Sequence, residues 1–182
     1  MHRYLAVTLL YFPAFLNCLL GGEPAGGIKN PLKDAQAGDW VEIQFTYGKG
    51  EGSHIVTQKS TVVARDDKTV TLEHKGRDGA KEIDPTKEVV KLEATWQRPM
   101  FPPEEVAHSQ LLAEGDETLT LHGKEYKCHW RKVKIENRKG VSTMTAWFST
   151  DVPLDGLAKA IGDSGNPKTS IEVELIGCGR GK

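Results

Sequence analysis

Trp40-Val41-Glu42-Ile43-Gln44-Phe45-Thr46-Tyr47 runs straight into Gly48-Lys49-Gly50-Glu51-Gly52-Ser53, and a Val/Thr-rich stretch from Ile55 to Arg65 follows. Val41, Ile43, Phe45 and Tyr47 alternate with Glu42, Gln44 and Thr46. Successive side chains of a strand point to opposite faces, so this period of two predicts a strand with one apolar and one wet face. The Gly-rich stretch is a flexible turn, and the β-branched residues after it favour a return strand. A hairpin with one solvated face belongs to an antiparallel sheet.

The same pattern extends outward. Asp66-Asp67-Lys68 turns the chain into a strand over 69–74, with Val70 and Leu72 inward. Gly76-Arg77-Asp78-Gly79 turns it again, and 87–96 carries Val89, Val90, Leu92 and Trp96. Arg98-Pro99-Met100-Phe101-Pro102-Pro103 cannot join a central strand, because proline has no amide hydrogen to donate. That stretch, 98–103, reads as a segment crossing between two halves, and 104–113 has room for one or two helical turns. Further strands are predicted at 117–122, 125–136, 141–149 and 169–177, separated by Gly123-Lys124 and Asn137-Arg138-Lys139-Gly140 turns. Leu154, Leu157, Ala158 and Ile161 have helical spacing, with Asp151 as N-cap and Gly162 as terminator. The expected fold is mainly β: a curved antiparallel sheet, half-barrel or sandwich-like, of about eight strands with one short helix near residues 153–161.

Composition narrows the function. Of 182 residues, 38% are hydrophobic and 27% charged, which supports a packed core and argues against disorder. Lys plus Arg number 24 against 25 Asp plus Glu, a net charge of -1, so no electrostatic footprint for nucleic acid exists. The chain opens with Arg3 and an apolar run, Leu5-Ala6-Val7-Thr8-Leu9-Leu10-Tyr11-Phe12, interrupted by Pro13 and closed by Gly21-Gly22-Glu23-Pro24. This is short for a membrane helix, which needs about 20 apolar residues, and has the layout of a secretory signal. Residues 1–22 are therefore read as signal, 23–37 as a Gly/Pro-rich tether and 38–182 as one β domain. Two cleavage readings stay open. Phe15-Leu16-Asn17-Cys18 is a loose lipobox that would lipidate Cys18, although Asn17 is not the small residue such a site prefers. A small-residue site near Gly21-Gly22 or Ala25-Gly26 is the alternative. Either way the expected location is periplasmic, outer-envelope or extracellular, with membrane contact only through a lipid anchor.

Export leaves Cys128 and Cys178 where disulfides persist. Closing their loop would stabilise the fold by roughly 4 kcal/mol. Strand parity opposes the pairing: Cys178 alternates with Ile171, Val173 and Leu175 unless a bulge at Gly177 flips it. A disulfide and two separate thiols both remain open.

Catalytic and metal signatures are weak. His54, His74, His108, His122 and His129 are scattered, and no H-x-x-x-H or H-E-x-x-H occurs. Cys128 and His129 are adjacent and point to opposite faces of a strand. Gly48-Lys49-Gly50-Glu51-Gly52 lacks phosphate-loop spacing and precedes a strand, not a helix. No G-x-S-x-G is present. No catalytic residue, metal or cofactor is assigned. Lys124, Lys127, Arg131, Lys132, Lys134, Arg138 and Lys139 make a basic hairpin, diluted by Glu125 and Glu136, that reads as one wet face. Aromatics are more informative: Phe45, Tyr126, Trp130 and Trp147 lie on strands and would line a concave face able to hold an apolar ligand.

A longer stretch, Glu117-Thr118-Leu119-Thr120-Leu121-His122-Gly123-Lys124-Glu125-Tyr126-Lys127-Cys128-His129-Trp130, is followed by Ala146-Trp147-Phe148-Ser149-Thr150-Asp151-Val152-Pro153-Leu154-Asp155-Gly156-Leu157-Ala158-Lys159. Together with Gly38-Asp39-Trp40-Val41 it resembles a group of uncharacterised bacterial exported, lipoprotein-like β domains, over residues 38–178. The resemblance implies a curved antiparallel half-barrel like those of lipoprotein carriers, and brings no catalytic residues with it. The function expected is a non-enzymatic cell-envelope binding module for an apolar or lipid-like ligand. The alternative is a structural domain with a filled core that binds another envelope protein.

Overall fold

The computed structural model describes residues 28–92, 95–96, 109–137, 140–163 and 170–181. The signal and Cys18, the first part of the tether and the Pro-rich segment at 98–103 lie outside the described residues. The strands are β1 (Ile28–Lys29), β2 (Trp40–Tyr47), β3 (His54–Arg65), β4 (Thr69–Asp78), β5 (Lys81–Lys91), β6 (Thr95–Trp96), β7 (Ser109–Leu121), β8 (Lys124–Asn137), β9 (Gly140–Phe148), β10 (Leu157–Asp163) and β11 (Ile171–Gly179). β1 and β6 form a small pair; the other nine make one curved, open sheet in the order β5-β4-β3-β2-β11-β10-β9-β8-β7. Every neighbouring pair is antiparallel. Two meanders of consecutive hairpins, β2 to β5 and β7 to β11, are thus joined where β2 meets β11.

One face of this sheet carries most of the core. In β2 it is Val41, Ile43 and Phe45, as the alternation predicts. Across the seam, Val173 pairs with Phe45 and Leu175 with Ile43, and the register then shifts before Gly177. The shift is the bulge that the sequence left open at Gly177: it brings Cys178 opposite buried Val41. Trp40, on the other face, lies flat over the glycines of β11. A Cβ on Gly177 or Gly179 would come within 3.2 or 2.5 Å of its ring. The Lys59 ammonium sits 4.0 Å from the Trp40 ring centroid, a cation–π contact.

The helix expected near residues 153–161 does not form. Leu157–Asp163 is strand β10, paired on both sides. The physical reason is a second bulge. Between Leu157 and Lys159 the register against β9 shifts, so Leu157 and Ala158 are both buried, followed by Ala160 and Gly162. A bulge in a strand inserts one residue into a period of two and imitates the spacing of a helix. Ile161, which completed the helical pattern, is exposed. Residues 150–156 form the turn before β10. Leu154 and Gly156 adopt positive φ there (66° and 76°), and the Ser149 amide donates to the Gly156 carbonyl at 2.8 Å. Helical turns over 104–113 fail from Ser109 onward, where β7 begins.

Asp39 clasps the two ends of the domain. It is only 1% exposed, and its carboxylate accepts from the amides of Gln36 (3.0 Å) and Gly181 (2.7 Å) and from Arg180 Nη1 (3.3 Å). Burial pushes its pKa up, but those three donors outweigh it and hold the carboxyl below the ordinary value. A depressed folded value stabilises the protein above the unfolded pKa of about 4, and the contribution is lost as pH falls through the folded value. Asp39→Ala should therefore cost about 3 kcal/mol in urea unfolding at pH 7. The difference between variant and parent should shrink as the same titration is repeated at progressively lower pH.

Candidate functional site

β3 and β4 place polar side chains where the pattern calls for apolar ones. Val56, Gln58, Ser60 and Val62 share the inner face of β3, opposite Phe45, Ile43 and Val41 of β2 for the first three. On the other side, Gln58 faces Gly76, Ser60 faces His74 and Val62 faces Leu72. β5 then sets Thr86 beside His74 and Glu88 beside Leu72. A row of hydrogen-bonding groups thus crosses three strands, walled by Val41, Ile43, Val56, Val62 and Leu72.

The groups converge on His74. Its Nδ1 lies 2.9 Å from Ser60 Oγ and 3.1 Å from Gln58 Nε2, and its Nε2 lies 3.6 Å from Glu88 Oε2. Gln58 Nε2 is also 3.3 Å from Ser60 Oγ. One tautomer suits this set: Nε2–H directed at Glu88, with Nδ1 accepting from the hydroxyl and the amide. Gln58 is 8% exposed, and its Oε1 is buried with no hydrogen-bond partner. An unpaired buried amide oxygen costs about 1–3 kcal/mol, so a position like this needs a reason. Exposure rises from Gln58 through His74 to Glu88 on the edge strand β5.

Hydroxyl, imidazole and carboxylate in a row have the chemistry of an activated serine. Ser60 sits in the middle of a strand paired on both sides, and the leftover amide atom of Gln58 lies beside it.

The aromatic residues singled out from sequence are not gathered into one cleft. Phe45 is buried on the inner face and stacks on Tyr47 at 6.4 Å between ring centroids. Trp130 and Trp147 face each other across β8 and β9. Following the register, Trp147 pairs with Lys159, Lys159 with Glu174 and Glu174 with Gln44, so the tryptophan pair is on the face opposite Phe45. Trp147 Nε1 donates to Glu117, and the Trp130 ring covers Gly115, where a Cβ would come within 3.1 Å of it. Tyr126 is buried, with its hydroxyl 3.8 Å from Cys178 Sγ, and burial pushes its phenol up to about 12.

Cys128 and Cys178 are free thiols. Of the two readings left open by the sequence, the structure has the separate thiols: the Tyr126 phenol lies against Cys178, while the buried Cys128 Sγ donates to the Tyr126 carbonyl. Burial raises the Cys128 thiol pKa, which makes it less reactive. His54, His122 and His129 each face a carboxylate, of Asp78, Glu174 and Asp116 respectively, within 3.1 Å. Among the described residues no three His, Cys, Asp or Glu side chains come together as metal ligands. Within the basic hairpin, Arg131 pairs with Glu114 and Lys134 with Glu136.

No family model matches the chain, and no curated protein matches it. Two solved structures do. One is a Bacteroides fragilis protein named as an exported protein with a YmcC-like fold: TM-score 0.51, 10% identity, 85% of this chain and 100% of that one covered. The other is a Parabacteroides distasonis protein named as a lipoprotein: TM-score 0.51, 8% identity, with the same shares covered. The chain shares their fold. At such identity the likeness speaks for the fold alone and assigns no site residue.

Gln58, Ser60 and Glu88 were not singled out from sequence, and His74 stood there only as one of five scattered histidines, yet a signal existed. Each has the parity of the buried Val or Leu two positions away: Val56, Val62, Leu72 and Val90. Gln58→Leu, which removes the orphaned atom and keeps the volume, should raise the urea midpoint, by about 1 kcal/mol of stability.

Proposed function

We propose that the chain is an exported cell-envelope binding protein without catalytic activity, and that its inner face receives an apolar, lipid-like ligand. The signal layout of the first 22 residues and the names of the two fold neighbours support export. The observation that carries binding is the unpaired Gln58 oxygen inside a wall of Val, Ile and Leu side chains. A polar group left unsatisfied in an apolar surround is what a ligand site looks like before its ligand arrives.

Native mass spectrometry of the protein exported by a bacterial host tests this. Extra mass that disappears on organic extraction is the expected result. Bare polypeptide mass from every host and growth condition would overturn the binding reading. It would favour the interaction domain instead, for which β7 offers one observation: Leu111 and Leu112 are adjacent on an edge strand and 44% and 45% exposed.

A further inference from the structure

We infer that the cluster of Gln58, Ser60, His74 and Glu88 recognises the uncharged, hydroxyl-bearing head of a ligand, as in a sugar or polyol. This rests on the proposal that the inner face takes a ligand, and goes further by naming the chemistry of its head group.

Gln58 spends one end of its amide on His74 and Ser60 and leaves the other without a partner. As the side chain is placed, the spare atom is an acceptor and calls for a donor. Were the amide turned round, the spare atom would be a donor and call for an acceptor. A hydroxyl answers both cases, because it donates one hydrogen and accepts on two lone pairs. An ammonium only donates, and a phosphodiester or sulfate ester only accepts.

Charge points the same way. An anionic head would meet the Glu88 carboxylate, which is already directed at His74 Nε2. A cationic head would have to compete with the imidazole for that carboxylate and would bury its charge beside a neutral amide. A neutral head carries neither cost. Gly76 stands across from Gln58 and contributes no side chain to the inner face. Ile83, the next residue across on β5, and Ile43 on β2 flank the position with apolar surface suited to the ring or chain beyond the hydroxyls. Access is from the β5 side, where Glu88 is partly exposed.

The probes are n-octyl β-glucoside, methyl β-glucoside, octyl sulfate and octylammonium, each below its micelle concentration. Binding is read by calorimetry and by the imidazole proton resonances of His74, assigned by their loss in His74→Asn. Octyl glucoside should bind, shift the His74 resonances, and bind about tenfold or more tightly than either charged octyl compound. Gln58→Leu should weaken it about tenfold with no loss of folding stability, and Ser60→Ala is the second variant should the first misfold. Equal binding of all three octyl compounds, unchanged in Gln58→Leu, would overturn the head-group assignment and leave the apolar binding reading standing. No binding of any probe, with His74 unmoved, would mean that the spare amide atom holds water only, and would overturn the assignment. Methyl glucoside binding as tightly as octyl glucoside would uphold the head group, identify a free saccharide as its source, and count against a lipid-like body.

Discussion

The pairing of β2 with β11 is the constraint on which the rest of the molecule depends. Each meander is built from local hairpins and could form its own ribbon. Only this seam makes them one sheet, and it joins segments from opposite ends of the described chain. Such a contact is entropically expensive to close and must be well specified. Three devices specify it. Apolar pairs, Val173 with Phe45 and Leu175 with Ile43, fix the inner face. Glycines at 177 and 179 admit the flat Trp40 ring. Asp39 ties the approach to β2 to the residues just after β11. A slip of one residue would turn the Val and Ile side chains outward and the Glu and Gln side chains in.

Against that background the cluster around His74 is a local contradiction. The first meander has the apolar residues to fill its inner face, and Val56, Val62, Val70, Leu72 and Val90 do so. Gln58, Ser60, His74 and Glu88 interrupt them on three successive strands, and their mutual contacts still leave one buried amide atom over. Stability alone would favour apolar residues at these places. Where a fold departs from local consistency without a structural gain, function is the usual cause.

Much of the fold was legible in the sequence, because parity is a local property. The alternation over residues 40–47 names Val41, Ile43 and Phe45 correctly as buried, and the turns at 48–53 and 66–68 separate strands, whereas the turn expected at 76–79 does not: β4 runs on to Asp78, and the chain turns at 79–80. What failed were the places where parity changes. The bulge beside Leu157 disguised β10 as a helix, whereas the one near Gly177 stood in the sequence only as an open alternative. β8 changes the parity it buries along its length, from Tyr126 and Cys128 to Val133 and Ile135, with no register shift against β9. The change coincides with a register shift against β7, between Leu111 and Ala113, opposite Val133 and Lys132. The aromatic site failed for a related reason. Phe45 and Trp147 are separated by β11 and β10, and relating their faces requires the register of every intervening pair.

The open edges bear on how a ligand would reach Gln58. A closed barrel would seal the inner face, whereas here β5 is an edge and the cluster begins on it. An edge strand invites unwanted pairing with other chains unless something discourages it. β5 carries Lys81, Glu82, Asp84, Lys87 and Lys91, and Pro85 withholds an amide hydrogen midway. The register against β4 also shifts between His74 and Gly76, next to that proline. Charged residues and a proline along an edge discourage the pairing of a further strand. The strand that carries them also carries Glu88, the outermost member of the polar cluster, so the features that protect the edge also leave that end of the cluster open.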